Sequence, residues 1–391
     1  MLTPPVEKTS GSSSGSSAGS SNATQTLAAP LGPRSIVPGK GMTFAACAPS
    51  RDPMRAACLA TVRMMNSTTS AFPDSADGLT PSDLASIYGY AAPSNQNSTS
   101  QVIGIVVAYD NPAAESDLAA YRSYFNLPAC TTANGCFEKL GASQTTSADV
   151  RRSPFSVSAN PTTTISGWAA EADADIETAS AVCSNCQIIL SEAATDNLSD
   201  LANAVSAAVS AGATVINASF GAPESSSQGS LESAFEPAPV KVVAAAGDSS
   251  GDVLFPSSAT NVISVTGTTL NVSGSSVSQS LWSNSGGGCS AVFAAASFQP
   301  GWCSNRSVAD IAAIADPNTG LAFYDSAIGG WEIVGGTSIS APIVAGMFAL
   351  SGDTSYGSGA QRLYAHHRQY LQVNGAGNLD GLGTPKSLSA F

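Results

Sequence analysis

The chain has 391 residues, 43% hydrophobic and 11% charged, with 28 acidic residues against 15 basic ones and a formal charge of −13. Nothing in that balance draws it by charge to nucleic acid or to an anionic membrane surface, and no run of about 18 apolar residues is present to span a bilayer. Protonating the carboxylates would leave few cations to repel one another, which suits an acidic setting.

Residues 1–40 contain the low-complexity run TSGSSSGSSAGSSNAT and a Pro/Gly stretch, and are expected to form a disordered tail. Residues 41–78 read as an N-terminal extension, and a globular domain runs over 79–391. Val102–Ala108 (VIGIVVA) is a continuous apolar run, as in a strand buried on both faces. Ala113–Phe125 reads as an amphipathic helix, Gly167–Val182 as a helix and Gln187–Ser191 as a strand. Leu198–Ala211 is helical, and Thr214–Ala218, Val240–Ala246 and Asn261–Thr266 are strands. Leu321–Tyr324 and Glu332–Val334 add two more, before a last helix that begins near Ser338. This alternation predicts an α/β fold: a doubly wound, mostly parallel sheet with helices on both faces. Ligand chemistry then belongs at the carboxyl ends of the strands.

The eight cysteines fall into close pairs, 47/58, 130/136, 183/186 and 289/303. Local disulfides of an exported protein explain them better than metal sites, because the two His, at 366 and 367, lie far from all of them. Met1–Ser20 has no apolar core of an export signal, a tension that an incomplete gene start or a processed precursor would resolve.

Gly335-Gly336-Thr337-Ser338 runs straight into the apolar segment Ile343–Leu350, so a small-residue turn presents Ser338 at the positive end of a helix. A serine nucleophile needs a base. With only an adjacent His pair near the chain end, a carboxylate is the expected base. The run Trp168–Val182 (WAAEADADIETASAV) offers Glu171, Asp173, Asp175 and Glu177. Their alternation would suit one face of a strand, but the surrounding alanines favour a helix. On a helix they split into Glu171/Asp175 and Asp173/Glu177, each one turn apart. The first pair borders the apolar residues Ala172, Ile176 and Ala179 and takes the drier side. Two carboxyls so placed repel when ionised, so one keeps its proton. Asp248 follows the apolar strand VKVVAAAG in a Gly-flanked turn and points toward the expected cleft.

Together GGTSISAP, GWAAEADADIE and VVAAAGDSSG resemble the motifs of the sedolisins, serine-carboxyl peptidases with a subtilisin-like fold. PACTTANGCF, CSNCQIIL, SVADIAAIADPNTG and GLGTP are similar to segments of a bacterial branch of that family. The resemblance covers Leu79 to Pro385. It implies Ser338 as nucleophile, Glu171 as base, Asp175 as its partner and Asp248 as a protonated oxyanion donor. It also implies protein or peptide substrates, secretion, a monomer and Ca²⁺ near the C-terminus. Gln372 stands where a first calcium ligand belongs and the loop after it is short, so that site looks eroded, with Asp380 as a surviving ligand. The segment before Leu79 is also shorter than the large propeptide the family carries.

The leading expectation is therefore an acid endopeptidase working through an acyl-enzyme. A catalytically inactive surface or binding protein that keeps the fold is the alternative. A Ser-His-Asp hydrolase using His366 or His367, with a neutral optimum, is the third reading.

Overall fold

In the computed structural model the described residues are 24–28, 30–32, 34–36, 41–65, 76–96, 100–141, 161–352, 360–375 and 379–391. The strands that matter are β1 (Gly41–Ala45), β2 (Ala57–Cys58), β3 (Thr61–Met65), β4 (Val102–Ala108), β5 (Phe137–Gly141), β6 (Gln187–Ala193) and β7 (Val215–Ala218). They continue with β8 (Phe220–Pro223), β9 (Lys241–Ala245), β10 (Ile263–Ser273), β11 (Ser276–Leu281), β12 (Ile311–Ile314), β13 (Leu321–Asp325) and β14 (Gly330–Gly335). Helices α1 (Pro81–Tyr88), α2 (Ala114–Tyr124), α3 (Pro161–Val182), α4 (Leu198–Ser210) and α5 (Thr337–Ser351) complete the frame.

A nine-stranded sheet is the centre of the fold. Its strands β5, β6, β4, β7, β9, β10 and β12 pair in parallel, and β11 turns back antiparallel on β10. The apolar run of β4 takes a central place, where residues 103–108 are buried, as a strand covered on both faces must be. Gly104 lets α4 close on that strand: a Cβ there would lie 2.6 Å from Ile216 Cδ1 and 3.1 Å from Ala208 Cβ. Helices α3 and α5 pack on each other, with Val182 Cβ only 2.8 Å from the point a Cβ on Gly346 would occupy. The α/β architecture expected from the periodicity is the one observed.

Two regions depart from the sequence reading. Within the expected tail, Gln25–Thr26 forms a short strand on β11, and Ser35 Oγ donates to Asp83 Oδ2 at 2.6 Å. The low-complexity texture hid these contacts, because backbone pairing needs no particular side chain. In the 41–78 segment, β1 and β3 join β14 and β13 in a second, four-stranded sheet, with Thr61 opposite Gly335. Chain from ahead of residue 79 thus lies beside the strand that leads into Ser338. All four expected cysteine pairs are disulfides.

Candidate active site

Helix α5 starts where the chain turns on Gly336. Its φ of +92° suits glycine, and a Cβ there would lie 2.1 Å from the Leu59 carbonyl oxygen and 2.7 Å from Asp248 Oδ2. The first N–H groups of a helix have no intrahelical acceptor. Asp248 Oδ1 serves one of them, accepting from Thr337 N–H and from Thr337 Oγ1, both at 2.8 Å. Ser338 follows in the same first turn and is fully buried.

Ser338 Oγ donates to Glu171 Oε2 at 2.8 Å and lies 3.3 Å from the Ser219 carbonyl oxygen. Glu171 Oε2 also accepts the Leu59 and Ala60 N–H groups at 2.8 and 2.7 Å. Three donors on one oxygen favour the ionised carboxyl, yet burial outweighs them and pushes Glu171 up to about 8, with the Asp248 charge adding to the rise. Asp175, one turn along α3, is raised well above its usual range by burial and then by the Glu171 charge.

Proton accounting around Ser219 points the same way. Pro342, four residues beyond Ser338, has no N–H to offer the Ser338 carbonyl. The Ser219 hydroxyl takes that place at 3.0 Å, and it also lies 2.6 Å from Asp175 Oδ1 and 2.9 Å from Asn217 Nδ2. A hydroxyl has a single hydrogen. When it goes to the Ser338 carbonyl, the short contact to Asp175 requires that carboxyl to be the donor. Asp175 is then neutral. The remaining oxygens, Glu171 Oε1 and Asp175 Oδ2, are buried without hydrogen-bond partners.

Asp248 sits at the carboxyl end of β9, as a strand-end site residue should. Loss of solvent pushes its carboxyl up to about 6 against the opposing hydrogen bonds of Thr337 and Thr61. It lines a cavity of about 760 Å³ together with Leu59, Thr61, Trp282 and Asp316. The segment Ala57–Thr61 lines that cavity and also reaches Glu171 through the Leu59 and Ala60 N–H groups. Strand β2 pairs with β8, Leu59 N–H faces the Ser219 carbonyl at 3.3 Å, and Thr61 Oγ1 donates to Asp248 Oδ2 at 3.1 Å.

The four residues singled out in the sequence, Glu171, Asp175, Asp248 and Ser338, are thus gathered in one place. The pair Asp173/Glu177 is as buried as the first, so the two sides of α3 do not differ in dryness. Neither His is among the partners of Ser338 Oγ: His366 Nδ1 faces the Arg362 carbonyl at 3.1 Å and His367 is exposed. The Ser-His-Asp reading is corrected on that ground. Asp380 lies elsewhere, with Oδ2 accepting Val373 N–H at 3.4 Å. Among the described residues no cluster of three potential ligands includes it, and residues 376–378 of its loop are outside the description. Sequence reading missed Ser219, Asn217, Leu59 and Ala60. Only Pro342 carried a signal, since a proline four residues after Ser338 announces a carbonyl in need of an outside donor.

A serine at a helix N-terminus, set against a buried carboxyl pair on a neighbouring helix beside a parallel sheet, belongs with the subtilisin-like class of folds. A family model described as the subtilase family matches residues 157–384, more than half of the sequence, and the chain belongs to that family. It is 30% identical over 310 residues to kumamolisin of Bacillus sp. (strain MN-32), across 69% of this chain and 51% of that protein. The chain therefore spans about half the length of this curated relative. Its fold matches Pseudomonas sedolisin, a serine-carboxyl proteinase solved in complex with two molecules of pseudo-iodotyrostatin. That match has a TM-score of 0.63 and 22% identity, over 80% of this chain and 96% of that one. The sedolisin resemblance read from the motifs is borne out.

Proposed function

We propose that the chain is an acid-acting serine-carboxyl endopeptidase that hydrolyses peptide bonds in proteins or peptides. The observation that carries the reading is the 2.8 Å hydrogen bond from Ser338 Oγ to a buried Glu171. Ser338 Oγ attacks the peptide carbonyl carbon while its proton passes to Glu171 Oε2. The Ser338 N–H and a protonated Asp248 hold the tetrahedral oxyanion. Glu171 returns the proton to the leaving amine, and water then hydrolyses the Ser338 ester by the reverse relay. Asp175, neutral and hydrogen-bonded to Ser219, places no second negative charge beside Glu171.

Disulfides and the absence, among the described helices, of one long and apolar enough to cross a membrane support a secreted enzyme. A monomer is the simplest assembly for it. No step of this reading depends on a calcium ion near Asp380.

A pH–rate profile on denatured protein tests the reading, with Ser338→Ala and Glu171→Gln beside the unaltered chain. Hydrolysis that is fastest at about pH 3–4 and lost in both variants is expected. An alkaline optimum, or full activity in Glu171→Gln, would overturn it.

A further inference from the structure

The second carboxyl pair of α3 belongs to a separate cluster away from the serine. One carboxylate oxygen from each of Asp117, Asp173 and Asp325 lies within 4.8 Å of the others, and all three residues are 1–2% exposed. Each carboxyl is aimed by a donor on its own side. Asp117 Oδ2 accepts Ser326 N–H and Oγ at 3.1 and 2.9 Å, Asp173 Oδ1 accepts Asn111 Nδ2 at 2.7 Å, and Asp325 Oδ1 accepts Ala327 N–H at 2.6 Å. Glu177 supplies an independent observation. It is 2% exposed, one helical turn from Asp173, and its Oε2 is fixed by the N–H of Tyr324, the residue next to Asp325. Its other oxygen, Oε1, is buried with no hydrogen-bond partner.

We propose that Asp117, Asp173 and Asp325, with Glu177 beside them as a further oxygen donor, form a buried site for a divalent cation, suited to Ca²⁺, that clamps α2 and β13 onto α3. An all-carboxylate set without His or Cys selects a hard cation. Calcium keeps its oxygens at about 2.3–2.6 Å, so ligands on opposite sides of the ion stand up to about 5 Å apart. The three carboxylate oxygens, all within 4.8 Å of one another, fit inside that span. The site stands independently of the peptidase reading.

The test uses the full chain at pH 7 after chelator treatment, with CaCl₂ as the probe and two readouts: bound calcium and thermal unfolding. One Ca²⁺ per chain and a rise of several degrees in Tm are expected. Glu177→Gln and Asp325→Asn should each weaken calcium binding at least about tenfold. Without calcium, both variants should keep the far-UV spectrum of the unaltered chain, which separates lost binding from misfolding. No calcium bound at about 10 mM, weaker than any extracellular module, would overturn the proposal. So would undiminished binding in both variants, or binding lost only in Asp380→Asn.

Discussion

Helix α3 carries two carboxyl pairs at identical spacing, and what surrounds them differs. Glu171/Asp175 faces hydrogen-bond donors: the hydroxyls of Ser338 and Ser219 and the N–H groups of Leu59 and Ala60. Asp173/Glu177 faces two further carboxyls, Asp117 and Asp325. Both pairs are buried, so depth in the protein does not separate them. The company does. A carboxyl that meets a hydroxyl can move a proton, whereas carboxyls that meet one another need a cation or shared protons.

The comparison breaks most visibly at the serine. Ser338→Ala and Glu171→Gln should each lower kcat at least about 10³-fold, since members of a catalytic unit fail together. His366→Ala with His367→Ala should leave turnover as it is, and single-turnover assays would check both. Next in size is Ser219→Ala, which removes the donor to the Ser338 carbonyl and the contact that holds Asp175. It should cost about 10- to 100-fold in kcat with KM nearly unchanged, and valine in its place should not rescue it.

Asp248 sharpens the picture further. Its donor role needs the protonated form, so activity should fall as pH rises through about 6. Asp248→Asn keeps a donor at every pH, so its profile should lose that alkaline limb. A limb left in place would assign the titration to another group.

The smallest effect is on stability, and its sign is unusual. Asp248 at about 6 and Glu192 at about 7 are both raised above their unfolded values near 4. The folded chain therefore binds protons that the unfolded chain releases. The stabilisation is fully present below about pH 4 and is lost as pH rises through 6 to 7. Thermal unfolding in the absence of metal should show a higher Tm at pH 4 than at pH 8. The opposite order would mean these groups are paired in solution.

Much of this was legible in the sequence, for identifiable reasons. The run VIGIVVA fixed a central strand by apolarity alone, and the alanines around Glu171 fixed a helix whose period set which carboxyls share a side. The GGTSISAP turn announced its serine through glycine and proline, residues with strong local meaning. What stayed hidden depends on tertiary pairing. Nothing in RAACLATVR marks Leu59 and Ala60 as neighbours of Glu171, because the contact is made by backbone N–H groups that every residue except proline possesses. Asp117 and Asp325, distant in the chain, likewise gave no sign that they would join the second pair of α3.

The stretch that meets Glu171 is anchored at both ends. The Cys47–Cys58 link and strand pairing on either flank hold Leu59 and Ala60 in place, so their two N–H groups reach the carboxyl already oriented, with little freedom left to lose. A cut in that tether would leave the same two donors free to wander, and the carboxyl would have to find others.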